Sequence, residues 1–149
     1  SVRPNMILAV ALDYSPLSQQ QMKSVVDICT RELLTPKGLR SLSPKSGGFN
    51  PMSVGPQTQR DYAYHQGTAW PWLLFPFTDC ILKVHPDSAP DVLSRILYRF
   101  DGCMTSYGIS TVAEIMDGDP PYKPNGCISQ AWSVAALLYM KWKIEQVKK

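Results

Sequence analysis

The chain has 149 residues, 44% hydrophobic and 18% charged, with a net charge of +3. This is one domain's worth of sequence, long enough to bury a core, and its composition is that of a globular protein. Its apolar runs, Met6–Leu12 and Trp70–Phe77, fall far short of the roughly 20 residues that span a bilayer, so no membrane partner is expected. The charge excess is mild, and Lys141, Lys143, Lys148 and Lys149 at the tail more than supply it. A basic terminal helix is ordinarily a solvated face, so no nucleic-acid partner is expected either.

In chain order, Arg3-Pro4 followed by Asn5–Leu12 reads as a short buried helix, with proline tolerated in the first turn. Ser18 starts a second helix and Gln21, three residues on, completes a capping box. Met22, Val25, Val26, Cys29 and Leu33 recur at helical spacing on one face, and the helix stops before Thr35-Pro36-Lys37-Gly38. Residues 36–62 hold four glycines and four prolines. They read as an irregular excursion with one extended piece at Leu39–Leu42, and loops of that length usually serve a function.

Thr68 can cap a third helix over Ala69–Val84, with Pro71 in its first turn and Pro76 as a kink or interruption. Ser88 caps a fourth, with Pro90 and Asp91 in its first turn and Val92, Leu93, Ile96, Leu97 and Phe100 on one face. Asp101-Gly102 ends it. Ala131–Val147 forms a last helix, apolar nearly all round for its first ten residues and therefore expected to be packed on several sides. The class is mainly α: about five helices joined by long Gly/Pro-rich loops, with one short extended segment.

Two loop-to-helix junctions gather chemistry. One is Tyr62-Ala-Tyr64-His65-Gln66-Gly67-Thr68-Ala69-Trp70-Pro71-Trp72. The other runs from Thr111 through Glu114, Asp117, Gly118 and Asp119 to Trp132, and its prolines and glycines mark a shaped loop. Sugars need such a mixture: carboxylates and amides grip hydroxyls, and flat rings cover the apolar faces of pyranoses. Cleaving a glycosidic bond needs a pair of carboxyls. The same residues also suit blander roles, with the tryptophans in a core, His65 as a structural histidine and Asp117-Gly118-Asp119 as a solvated turn. Their spacing does not fit an EF-hand. Cys29, Cys80, Cys103 and Cys127 form no Cys-x-x-Cys pair and only two histidines are present, so no metal site and no cofactor is expected. The cysteines read as buried thiols in a reducing, cytoplasmic setting. No signal peptide is visible. The chain enters an apolar segment directly and without methionine, which reads as a cut made inside a larger protein.

Taken together, Tyr64-His65-Gln66-Gly67-Thr68-Ala69-Trp70-Pro71-Trp72, Glu114-Ile115-Met116-Asp117-Gly118 and Gly126-Cys127-Ile128-Ser129-Gln130-Ala131-Trp132-Ser133 resemble the C-terminal amylo-α-1,6-glucosidase domain of glycogen debranching enzymes. Arg3-Pro4-Asn5 and Glu32-Leu33-Leu34-Thr35-Pro36-Lys37-Gly38-Leu39-Arg40-Ser41-Leu42-Ser43-Pro44 match in the same order, so the resemblance covers nearly all of residues 1–149. It implies part of an (α/α)6 toroid, similar to glucoamylases, and an inverting hydrolase acting on an α-glucan or glycogen oligosaccharide. Glu114 takes the position of the general base. His65, Gln66, Trp70 and Asp117 are the residues expected to contact sugar or to support Glu114. The family's general acid is an aspartate in a Trp-Met-Asp-Ala type motif upstream of Arg-Pro-Asn, which this chain lacks. Tyr122 stands where many relatives place histidine. The piece is therefore expected to need the rest of its own domain, to be inactive alone, and to self-associate through apolar surface. The competing expectation is a non-catalytic carbohydrate-binding helical module.

Overall fold

The computed structural model describes residues 1–147; Lys148 and Lys149 of the basic tail lie outside the described residues. Helix α1 (Asn5–Ala11) buries Ile7 and Val10. Its C-terminal carbonyls receive the ammonium of Lys83, which donates to the oxygens of Val10 (2.9 Å) and Leu12 (2.7 Å). Helix α2 (Gln19–Glu32) opens on the anticipated capping box: the Ser18 hydroxyl accepts from the Gln21 N–H, and the Gln21 side chain accepts from the Ser18 N–H. Met22, Val26 and Cys29 are its buried stripe.

The excursion after α2 is more ordered than its composition suggests. It holds strands β1 (Leu34–Thr35) and β2 (Gly38–Arg40) and an unanticipated helix, α3 (Gln57–Tyr64). Only Ala63 of α3 is buried, so this helix carries no apolar periodicity to read. The extended piece is Gly38–Arg40, one residue earlier at its start than expected and two shorter at its end.

Thr68 does not cap a helix. Ala69–Trp70 is a strand (β3), a 3-10 turn covers Pro71–Leu73, and α4 runs from Leu74 to Val84. The later start explains Pro76, which falls in the first turn of α4, where a backbone N–H has no intrahelical partner to lose. Ser88 likewise makes no capping hydrogen bond to helix α5 (Ala89–Tyr98), and Phe100 is buried just beyond the helix end. Strands β4 (Ile115–Met116) and β5 (Pro124–Asn125) and helix α6 (Ala131–Val147) complete the chain. Among the described residues this makes six helices and five strands, against the five helices and one extended piece expected.

The strands form one antiparallel meander in chain order, β1-β2-β3-β4-β5. Leu39 pairs with Trp70, Ala69 with Met116, and Ile115 with Asn125. Gly38 has φ +139°, and a Cβ there would collide with the Trp70 carbonyl, so glycine is what allows β2 to lie against β3. The helices gather round α4, which packs on α1, α2, α5 and α6. Phe77, Leu74, Leu93, Phe100 and Met140 are fully buried between them.

Helix α6 departs from expectation in one respect. Its buried residues, Ser133, Ala136, Leu137, Met140 and Ile144, make a single stripe rather than contacts on several sides. Leu138, 63% exposed, and Trp142, 51% exposed, stand in solvent, as do Leu12 of the following turn of α1 and Phe75 of α4. No helix of the described residues is long and apolar enough to cross a membrane.

Candidate functional site

Glu114 lies immediately before β4, half-buried, with its main chain locked to the β5 side: its N–H donates to the Cys127 carbonyl at 3.0 Å. Both carboxylate oxygens are also held. The Tyr64 hydroxyl donates to Oε1 at 2.6 Å, and the Cys127 N–H donates to Oε2 at 3.1 Å. Charge-assisted bonds of this length fix a carboxylate's direction. Gly126 sits against Oε2, in the left-handed region at φ +71°, and a Cβ at that position would overlap the oxygen. Burial, and then the bond to Glu114, push the Tyr64 hydroxyl's pKa up, so it remains a donor throughout the ordinary pH range.

Tyr64 is the joint between this carboxylate and an aromatic cluster. Its ring meets Trp70 edge-on at 4.5 Å between centroids, and His65 edge-on at 4.9 Å. Its carbonyl accepts from the Trp70 indole N–H (3.1 Å) and the Thr68 hydroxyl (2.9 Å). The His65 and Trp70 rings are parallel, 5.8 Å apart, and Trp72 stacks on Trp132 at 5.3 Å. His65, Trp70, Trp72 and Trp132 line an open cleft of about 310 Å³ together with Pro4 and Asn5. Tyr64 itself lines a second, more polar cavity of about 370 Å³, walled also by Arg60, Asp61, Tyr107, Asn125 and Gly126.

The anticipated site residues divide in two. Glu114, His65 and Trp70 come together around Tyr64. Gln66 is turned away into a clamp: its side-chain oxygen accepts from Arg3 (3.0 Å), whose guanidinium also donates to the carbonyls of His65 (2.8 Å) and Ser41 (3.2 Å). The Arg-Pro-Asn segment thereby holds the histidine junction in place. Asp117 is fully buried behind the strand. Its Oδ1 accepts from the Ser53 N–H (3.2 Å) and from the Asn125 amide (2.9 Å), while Oδ2 has no partner. Burial pushes its pKa up, opposed by the Ser53 N–H, Lys123 and Asn125. Asp119 is a turn residue, paired at 3.1 Å with Arg40, which also donates to the Gly118 carbonyl. Tyr122 closes that turn in the left-handed region at φ +58°, where histidine and asparagine are better tolerated than most residues.

Tyr64, Arg3, Asn125 and the Cys127 N–H were not singled out from sequence. Tyr64 and Arg3 both sit inside matched motifs, which was the available signal. Cys127 sits inside a matched motif too, but its main-chain role, like that of Asn125, becomes visible only once the 123–127 segment folds back on the acid loop. The four cysteines are free thiols, but their burial differs from the expectation: Cys29 and Cys80 are buried, Cys103 is partly so, and Cys127 is exposed. Among the described residues, no three His, Cys, Asp or Glu side chains gather in a way that could hold a metal ion.

A family model described as Amylo-alpha-1,6-glucosidase matches residues 1–139, a span that includes every side chain in this site.

Proposed function

Because this chain belongs to the amylo-alpha-1,6-glucosidase family, we propose that it supplies the base side of an inverting glycosidase site that releases α-1,6-linked glucose from a branch of glycogen or a related α-glucan. The observation that carries this reading is Glu114, oriented by Tyr64 and the Cys127 N–H beside an aromatic cleft. As general base, Glu114 takes a proton from a water molecule, and that water attacks the anomeric carbon opposite the leaving oxygen. The general acid comes from an aspartate upstream of Arg3 in the full enzyme, standing roughly 6.5–9.5 Å from the base to leave room for the water. His65 and Trp70 contact sugar; Gln66 and Asp117 act through Arg3 and Asn125. The six helices form part of an (α/α)6 toroid, and its absent helices cover the exposed apolar side of α6. The enzyme works in a reducing, cytoplasmic setting.

In the full enzyme, Glu114→Gln keeps the fold but lowers turnover by a factor of about 10²–10⁴, since an amide cannot deprotonate water. Near-normal turnover would sink the assignment. The exposed Trp72–Trp132 stack also suits a non-catalytic sugar platform. Calorimetry with malto-oligosaccharides, with and without the upstream half, separates the readings: a binding module gains nothing from the added sequence.

A further inference from the structure

The two cavities near Glu114 differ in their relation to the carboxylate. The polar one includes in its wall one neighbour of each Glu114 oxygen, although Cys127, whose N–H holds Oε2, lies outside that wall. Tyr64 bonds Oε1, Gly126 lies against Oε2, and Ile115, next in sequence to Glu114, completes that wall. No residue of the tryptophan cleft hydrogen-bonds Glu114. A general base must stand next to the carbon that water attacks. The sugar ring that carries this carbon therefore belongs in the cavity whose wall holds Tyr64 and Gly126, the immediate neighbours of the base.

The lining agrees. A terminal glucose presents a hydroxyl or ring oxygen on every side and is held by convergent donors and acceptors. Asn125 is built for this. Its Nδ2 is committed to Asp117 Oδ1 and the Lys123 carbonyl (3.2 Å), which fixes the amide and leaves its Oδ1 as an acceptor with no partner among the described residues. Arg60 and Gln57, on the exposed side of α3, have side chains equally uncommitted among the described residues and add donors to the same wall. The tryptophan cleft is lined instead by indole and imidazole side chains, which suit the apolar faces of glucose units in a chain.

We propose that the polar cavity receives the glucosyl unit whose anomeric carbon is attacked, and that the tryptophan cleft receives the glucan from which it is cut. Asn125, Arg60 and Gln57 then read the hydroxyls of the released glucose, and Trp132 and Trp72 grip the chain. This rests on Glu114 being the base.

The test uses the full enzyme and two substrates. α-Glucosyl fluoride offers only the glucosyl unit, whereas an α-1,6-branched limit dextrin offers both parts. Gln57→Ala with Arg60→Ala lowers kcat/KM about tenfold or more on both substrates, the equivalent of one lost hydrogen bond to a well-placed partner. Trp132→Ala lowers it on the dextrin alone. Both changes fall at exposed positions, and an unchanged unfolding midpoint verifies that the fold is kept. Full hydrolysis of glucosyl fluoride by the Gln57/Arg60 variant, or its loss in Trp132→Ala, overturns the assignment. Glu114→Gln separates the two levels. If it keeps turnover, the base reading falls. If it loses turnover while the Gln57/Arg60 variant keeps glucosyl fluoride hydrolysis, only the subsite assignment falls.

Discussion

Asp117 allows the site's internal support to be measured without any catalysis. Its side chain is wholly buried, and its Oδ1 is the acceptor for the nearly buried Ser53 N–H and for the Asn125 amide. Asp117→Ala strands the Ser53 N–H, at about 1–3 kcal/mol for an unpaired buried donor, and frees Asn125 at about 1 kcal/mol more. The expected loss is about 2–4 kcal/mol. Asp117→Asn keeps an oxygen in the Oδ1 position for the Ser53 N–H and the Asn125 amide, and its cost, about 1–3 kcal/mol, is that of the amide NH2 placed where Oδ2 has no partner. The pH dependence has a definite sign. Burial raises the folded-state pKa above the ordinary value of 3.8, so the native protein holds this proton more tightly than the unfolded chain. The associated stability is fully present below the unfolded pKa and is lost as pH rises through the folded one. Asp117→Asn lacks that loss, and therefore gains on the native protein as the pH rises above the ordinary carboxylate value of 3.8. Urea unfolding followed by tryptophan fluorescence at several pH values reads all three chains. An Ala variant within about 0.5 kcal/mol of native, or an Asn variant equally damaging at every pH, would refute the reasoning.

Gly126→Ala forces a left-handed residue at a cost of about 1–2 kcal/mol and drives a methyl group into Glu114 Oε2. Turnover of the full enzyme should fall at least about tenfold with only a modest drop in unfolding midpoint, and unchanged kinetics would count against the geometry. Thiol reagents should modify the exposed Cys127 first and Cys103 more slowly. Cys29 and Cys80, whose thiols burial pushes up to about 11 and about 12, should react only on unfolding; simultaneous reaction of all four in the folded chain is the contrary result. Leu12, Phe75, Leu138 and Trp142 leave apolar surface uncovered, so residues 1–149 alone should self-associate in sedimentation and bind an apolar dye. A clean monomer without dye binding would show that the surface needs no cover.

What could be read from the sequence was what depends on neighbours a few residues apart. The Ser18–Gln21 capping box, the buried stripe of α2 and the apolar face of α5 are local patterns, and the helices form there. Helix α3 was hidden because a helix with one buried residue has no stripe. The strands were hidden because two or three residues cannot show an alternation; they exist through partners such as Ala69 and Met116, distant in sequence. The site divides the same way. Glu114, His65 and Trp70 stood out by residue type and motif. That Asp117 would be sealed under Asn125, and that Gln66 would serve Arg3, depended on loops folding back from elsewhere in the chain.

The meander has a consequence for the order of events in folding. The pairing of β3 with β4 joins two ends of a loop that contains the whole of α4 and α5. The loop-closure entropy falls steeply once those helices have docked on each other and the intervening chain is short in space. Tyr64 and Glu114 are thus expected to come within bonding distance late, after the helices assemble. Chain cleaved in the exposed stretch between α5 and Glu114 would keep its helical core and lose the covalent tie that presents the base, so a nicked protein could be well folded by its helical signal and silent as a catalyst.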